Sequence, residues 1–430
     1  MLMLLPLVSL IIKITYIALP LLALLTIIAR PRRFRGLPGA LVVSIVAGLG
    51  VSVALNLIYA TATRGRVSIA QLALGTYFAA AMFLLLRLVD TGLQLGLSAI
   101  FRLNDANSVR FRAARSFFAL MGRVCVLFAV GLPYVMATLM IYRPRVLPND
   151  NPRVQLGFDY ERVEFRTSDN IRIVGWWIPA QQPQRHAVRV SDGDHADDLW
   201  AKRTAIVCHG LASSKSNQLI LTRKLVPAGF NCLAIDFRAH GESGGQLTTF
   251  GALEKRDVLA AVKWLRQTHA NESRQIVGVG ASMGAAALIS AAADDSPEGR
   301  AISAIASYAC YDDLWDMTKS VTQNYFATPM NDLLLYVGLP VAEIQTGADL
   351  IHYSPAKDAA ALWPRPILLI HGQRDEIIDF SRGESLLEAI PQPKYHLWYP
   401  TGSHNDILND DSAAKIVEEF FKVATSQPVI

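Results

Sequence analysis

Acidic residues are almost missing from the first 153 positions of this 430-residue chain, where three Asp and Glu stand against sixteen Lys and Arg. The rest of the chain reverses the balance, with 25 basic and 33 acidic residues, so the net charge of +5 is the sum of two unlike halves. It does not argue for a nucleic-acid partner, which needs basic residues clustered on a polar, folded surface; here they flank apolar runs. Cysteine is scarce too, with four in all. Cys125 falls in an apolar run, and Cys208, Cys232 and Cys310 fall in or beside strand-like runs. Such a set makes no disulfide framework and reads as small buried residues. No basic segment precedes the first apolar run, where only the α-amine lies before Lys13. Three further hydrophobic runs follow, so the pattern is not that of a cleaved signal peptide.

What the chain does have is apolar residues, 52% of the total with a mean hydropathy of +0.28, more than a soluble protein usually carries. They concentrate in residues 1–28, 37–60, 69–86 and 117–141. A bilayer core about 30 Å thick takes about 20 apolar residues in a helix, so these runs predict four transmembrane helices and a membrane region over residues 1–145. Lys13 and Arg123 shorten the first and fourth spans, and Arg87 and Asp90 interrupt the apolar stretch around the third. Loops one and three carry eight Arg between them, while the second loop and the segment to Arg153 carry five. Counting positive charge inside then places both termini, and everything after the fourth helix, outside the cytoplasm.

Residues 146–154, rich in Pro and Asn, form a linker by composition. Beyond it a hairpin pattern over 160–180 is followed by "TAIVCHG", "NCLAIDF", "QIVGVGA", "AISAIASYA", "PILLIHG" and "YHLWYP", with amphipathic helical stretches between them. Strands alternating with helices predict a mostly parallel sheet covered on both faces, an α/β domain over 155–425. Two segments depart from the alternation. Residues 181–202 are polar and read as a surface loop, so His186 and His195 there read as exposed side chains before metal ligands. Residues 311–363 form a helical insertion near the carboxyl ends of the strands, a candidate lid.

The glycines of "GVGASMG" at 278–284 suit either a phosphate cradle or the mount of a nucleophile. A dinucleotide fingerprint belongs on the first strand of its unit, with an acid closing a second strand about 20 residues on. Here the turn follows several strands, and the next acids, Asp294 and Asp295, lie in a helix-to-loop segment. Gly280-Ala281-Ser282-Met283-Gly284 instead matches G-x-S-x-G, whose small residues let a strand turn sharply into a helix and expose the hydroxyl. Serine is a poor nucleophile alone, so it needs a base and a group to orient that base. Both follow in the order serine, acid, histidine: Asp375 after "PILLIHG" and His404 after "YHLWYP". Glu376 and Asp379 compete with Asp375 but lie further from the strand end. Asp236, Arg238, His240 and Glu242 in "DFRAHGES" read as a turn held by hydrogen bonds, and Asp312 and Asp313 as pocket lining or a helix cap.

On these motifs, residues 155–425 resemble an α/β-hydrolase of the bud-emergence-type branch of serine hydrolases: "VCHGLASSKSN", "DFRAHGESGG", the serine turn, "HGQRDEIID" and "GSHND" match in order. The resemblance implies an eight-stranded, mostly parallel sheet with a helical lid. It further implies a Ser282-His404-Asp375 triad and an oxyanion hole made by the backbone N–H groups of Met283 and Leu211. In such a mechanism the histidine takes the serine proton, the serine attacks an acyl carbonyl, and water hydrolyses the acyl-enzyme. No metal or organic cofactor is called for. Esters, thioesters and amides all suit the constellation; the apolar half associates it with the lipid bilayer and lipid-derived acyl substrates. The alternative readings are a serine peptidase and a non-catalytic binding module on a membrane scaffold.

Overall fold

The structure, a computed structural model, describes residues 86, 92, 96, 109–126, 131–143, 145–148, 150–181, 200–328 and 330–426. The first two apolar runs, nearly all of the third, and the loop holding His186 and His195 lie outside the described residues. The fourth run falls on two helices, α1 (Val109–Val126) and α2 (Leu132–Ile141). Among the described residues no helix is long and apolar enough to cross a membrane. The reason is visible in both. α1 contains Arg110, Arg112, Arg115 and Arg123, and α2 is apolar but has 10 residues, half of the roughly 20 a span needs.

The chain divides into two compact units, residues 1–140 with 326–347, and residues 141–325 with 348–430. Residues 326–347 are the middle of the insertion expected as a lid, so part of that insertion clusters with the first unit. There the Gln345 amide donates to Thr138 Oγ1 at 3.0 Å. The residues of the expected linker belong to the second unit. Asn151 caps a short helix, Pro152–Leu156, by accepting from the N–H groups of Arg153 and Val154. Arg145, the last residue of the expected membrane region, also falls in the second unit, where its guanidinium donates to the carbonyls of Ser243 and Gly245.

The second unit is built on strands β1 (Glu161–Arg166), β2 (Arg172–Ile178), β3 (Arg203–Cys208), β4 (Phe230–Asp236), β5 (Gln275–Ala281), β6 (Ile302–Tyr308), β7 (Ile367–Gly372) and β8 (Lys394–Tyr399). They form one eight-stranded sheet in the order β1-β2-β4-β3-β5-β6-β7-β8. The β1–β2 hairpin and the β2–β4 pair are antiparallel, and β4, β3, β5, β6, β7 and β8 run parallel. β3 and β4 are buried at every position, which explains the unbroken apolar runs 205–208 and 232–235 within them: a strand covered on both faces has no solvent side. Edge strand β1 alternates instead, with Val163 inward between exposed Arg162 and Glu164.

Helices α3 (Leu219–Leu225), α4 (Lys255–Thr268), α5 (Met283–Ala292), α6 (Leu314–Gln323), α7 (Phe380–Ala389) and α8 (Asp411–Ser426) accompany the sheet. One core cluster joins Ala205, Val207, Cys232, Ala234, Val277 and Val279 to Leu221 and Leu225 of α3 and to Val417 and Phe421 of α8. Each such fully buried large side chain stabilises the fold by about 1.5 to 3 kcal/mol. Cys208, Cys232 and Cys310 are free and buried, as expected of small core residues. Helix α5, buried along its whole length, follows β5 directly, so the strand-to-helix turn between them sits at the carboxyl end of the central strands, where a parallel sheet opens its binding crevice.

Candidate active site

Ser282 occupies the single residue between β5 and α5, at φ 51° and ψ −118°. A non-glycine residue rarely takes this backbone, and it persists only where neighbours over-determine it. They do so here: the Ser282 N–H donates to Tyr308 O at 2.8 Å, while the N–H groups of Ala285 and Ala286 donate to Ser282 O. The flanking glycines are required by space. A Cβ on Gly280 would stand 2.6 Å from Gly284 O, and one on Gly284 would stand 2.4 Å from His209 O. The turn is therefore a tight mount for the serine. Asp294, at the far end of α5, accepts from the Ser296 N–H in a local turn, far from the position an acid takes beside a dinucleotide's ribose.

The acid and the histidine come from two neighbouring turns. After β7 the N–H groups of Gln373 and Arg374 donate to Tyr399 O at the end of β8 and to Gly402 O just beyond it. This stitching brings Asp375 against His404. His404 Nδ1 lies 2.7 Å from Asp375 Oδ2, and both side chains are buried. Because a carboxylate only accepts, Nδ1 carries the proton and Nε2 is left as the basic nitrogen. The other carboxylate oxygen, Oδ1, accepts from the N–H groups of Ile377 and Ile378 at 2.9 and 2.7 Å. Burial by itself would raise the Asp375 carboxyl, but hydrogen bonds from His371, His404 and Ile378 outweigh it and hold the group well below the usual carboxylate range. It is thus ionised wherever the histidine is to be oriented.

The competing acids have other tasks. Asp379 caps α7 by accepting from the Ser381 N–H, and exposed Glu376 accepts from the backbone N–H of His404 at 3.3 Å. Asp313 caps α6, accepting from Trp315 and Asp316, and Asp312 lies 3.3 Å from the Arg382 guanidinium. Asp236, Arg238, His240 and Glu242 form a bonded turn after β4: Lys215, wholly buried, pairs with Asp236 and, at 2.7 Å, with Glu242. Arg238 pairs with Asp257 at 2.7 Å and with Asp169.

The structure brings Asp375 and His404 into contact. It does not hydrogen-bond Ser282 to His404: the partly exposed Ser282 hydroxyl bonds to no other described residue. Such contacts are often long in a free site and tighten when substrate is bound. Met283 starts α5, where the first N–H groups have no partner inside the helix. The loop holding Leu211 is beside it, since a Cβ on Gly210 would lie 3.5 Å from Ser282 Cβ. A group the sequence reading passed over also reaches the acid: His371, on β7, sets Nε2 3.4 Å from Asp375 Oδ2 and 3.0 Å from Ile378 O. Its only sequence signal is its place four residues before Asp375. A cleft of about 1010 Å³ lined by Arg274, Ser303 and Phe420 opens at the amino ends of β5 to β8, the opposite end of the sheet from Ser282.

Residues 205–419 match the model of the alpha/beta hydrolase family. Among curated proteins, the uncharacterized protein YfhR of Escherichia coli K12 is 28% identical over 274 residues, 60% of this chain and 83% of its own. YqkD of Bacillus subtilis, also uncharacterized, is 29% identical over 236 residues, 53% of this chain and 74% of its own. Among solved structures, the Pyrococcus furiosus esterase Pf2001 superposes with a TM-score of 0.51 at 25% identity, over 66% of this chain and 98% of the esterase. The matched segment runs from β3 through α8 and so contains the serine turn, the acid and the histidine, and on that match the chain belongs to the alpha/beta hydrolase family.

Proposed function

We propose that this protein is a membrane-anchored serine hydrolase that cleaves acyl esters, in the manner of carboxylesterases and lipases. The observation that carries the reading is the Asp375-His404 pair, bonded at 2.7 Å at the sheet end that also presents Ser282 on its strained turn. In this mechanism His404 Nε2 takes the Ser282 Oγ proton as Oγ attacks the acyl carbon. The tetrahedral oxyanion is held by the N–H groups of Met283 and Leu211. The alcohol leaves with the proton from His404, and water, deprotonated by the same nitrogen, releases the acid and restores Ser282. Asp375 stays ionised throughout and stabilises the imidazolium. The esterase among the structural relatives supports an ester as the bond cleaved, and the apolar runs support a bilayer anchor with the hydrolase outside the cytoplasm. Hydrolysis of a p-nitrophenyl ester series of rising chain length, by wild type and Ser282→Ala, tests the reading. Turnover in wild type and none in a folded variant is expected; undiminished turnover in the variant contradicts it.

A further inference from the structure

We infer that His209 and His240 are positioning residues that lock the Leu211 N–H in place for the oxyanion, an inference that rests on the proposed serine-hydrolase reading. Leu211 stands between Gly210 and Ala212, and a histidine grips each neighbour. His209 Nδ1 lies 2.7 Å from Gly210 O. A carbonyl only accepts, so Nδ1 carries the hydrogen, and Nε2 is free to accept the Phe237 N–H at 3.1 Å. His240 repeats the arrangement from the other side: Nδ1 lies 2.8 Å from Arg238 O, and Nε2 accepts the Ala212 N–H at 3.2 Å. Each tautomer is dictated by its partners, and each ring must be neutral to accept.

Both rings tie the loop after β3 to the turn after β4, and they stand 5.1 Å apart. Both segments carry backbone strain at the tie. Ala212 has φ 55° and Ala239 has φ 59°, a region alanine seldom enters and keeps only under external restraint. The turn after β4 is itself anchored by the buried Lys215, Asp236 and Glu242 cluster. Without the His240 acceptor, Ala212 loses the bond that offsets its strained backbone, and Leu211 turns away from the Ser282 side. Oxyanion donors act only on the transition state, so the loss falls on kcat and leaves substrate binding alone.

Two variants of the full chain separate the roles of the two ring nitrogens. His240→Asn keeps a donor where Nδ1 faces Arg238 O but is too short to reach Ala212, whereas His240→Gln places an acceptor near Nε2. With a p-nitrophenyl ester, His240→Asn is expected to lower kcat about 10²-fold, the scale of one lost oxyanion donor, with KM within about threefold. His240→Gln should recover most of that loss, and thermal midpoints should not follow the same order. An unchanged kcat in His240→Asn, equal losses in both variants, or a change carried by KM overturns the inference. A wild type that neither hydrolyses esters nor reacts with a fluorophosphonate overturns the serine-hydrolase reading beneath it, and the inference with it.

Discussion

Replacing Asp375 by asparagine changes one oxygen to an amide nitrogen, and the structure dictates which one. Asp375 Oδ1 accepts two backbone N–H groups, from Ile377 and Ile378, so the asparagine must keep its carbonyl oxygen there. Its NH₂ then occupies the place of Oδ2, facing His404 Nδ1 at 2.7 Å and His371 Nε2 at 3.4 Å. A donor now meets a donor. His404 relieves the clash by moving its proton to Nε2, the nitrogen that has to accept the serine proton. The side chain keeps its shape and its two backbone bonds, so the fold survives while the base is in the wrong tautomer. In established triads the same change costs about 10⁴ in kcat, or about 5.5 kcal/mol of barrier. Steady-state kinetics on a p-nitrophenyl ester, with a near-ultraviolet circular dichroism spectrum as the fold control, measures it. A kcat within tenfold of wild type for Asp375→Asn would refute the argument, and so would a larger loss in Asp379→Asn, because Asp379 only caps α7.

Other expectations bear on stability and placement. Lys215→Met leaves the buried Asp236 carboxylate without its cation and should cost about 3 to 5 kcal/mol, read from urea unfolding; a loss below about 1 kcal/mol contradicts the buried pair. Burial, aided by the neighbouring His240, pushes the His209 imidazole down to about 3, so the unfolded chain takes up a proton there at a higher pH than the folded one does. The sign follows: this contribution is complete above about pH 6.5 and is lost as the pH falls toward 3, by about 1.4 kcal/mol per unit. His209 ring resonances should stay unchanged between pH 7 and 5, and a titration midpoint near 6.5 is inconsistent with the site described. A cysteine placed at Ser191, with the native cysteines removed, should react with a membrane-impermeant maleimide in intact cells; labelling only after lysis puts the hydrolase in the cytoplasm.

The strands and the serine turn were legible because their signals are local. Continuous apolar runs such as "TAIVC" and "CLAID" report burial on both faces, and small residues around Ser282 report a sharp turn. Asp375 and His404 were legible from their places just after strands whose carboxyl ends share one edge of the sheet. His240 was legible as part of a hydrogen-bonded turn, but its bond to the Ala212 N–H and that of His209 to the Phe237 N–H were not, because those partners are brought up by another loop; His371 meets the Asp375 carboxylate only through the path the chain takes after β7. The division of the insertion between two units was also hidden. Its helix α6 is amphipathic, and periodicity marks an apolar face without saying what covers it.

A covalent label reports whether the Ser282 hydroxyl is the nucleophile. The full-length protein is treated with a fluorophosphonate, digested, and the adduct mapped by mass spectrometry. One phosphonylated site is expected, Ser282, formed in parallel with loss of ester turnover and much slowed in His404→Ala. Complete loss of turnover with the adduct on a different residue, or ester hydrolysis that persists with Ser282 fully modified, would contradict it.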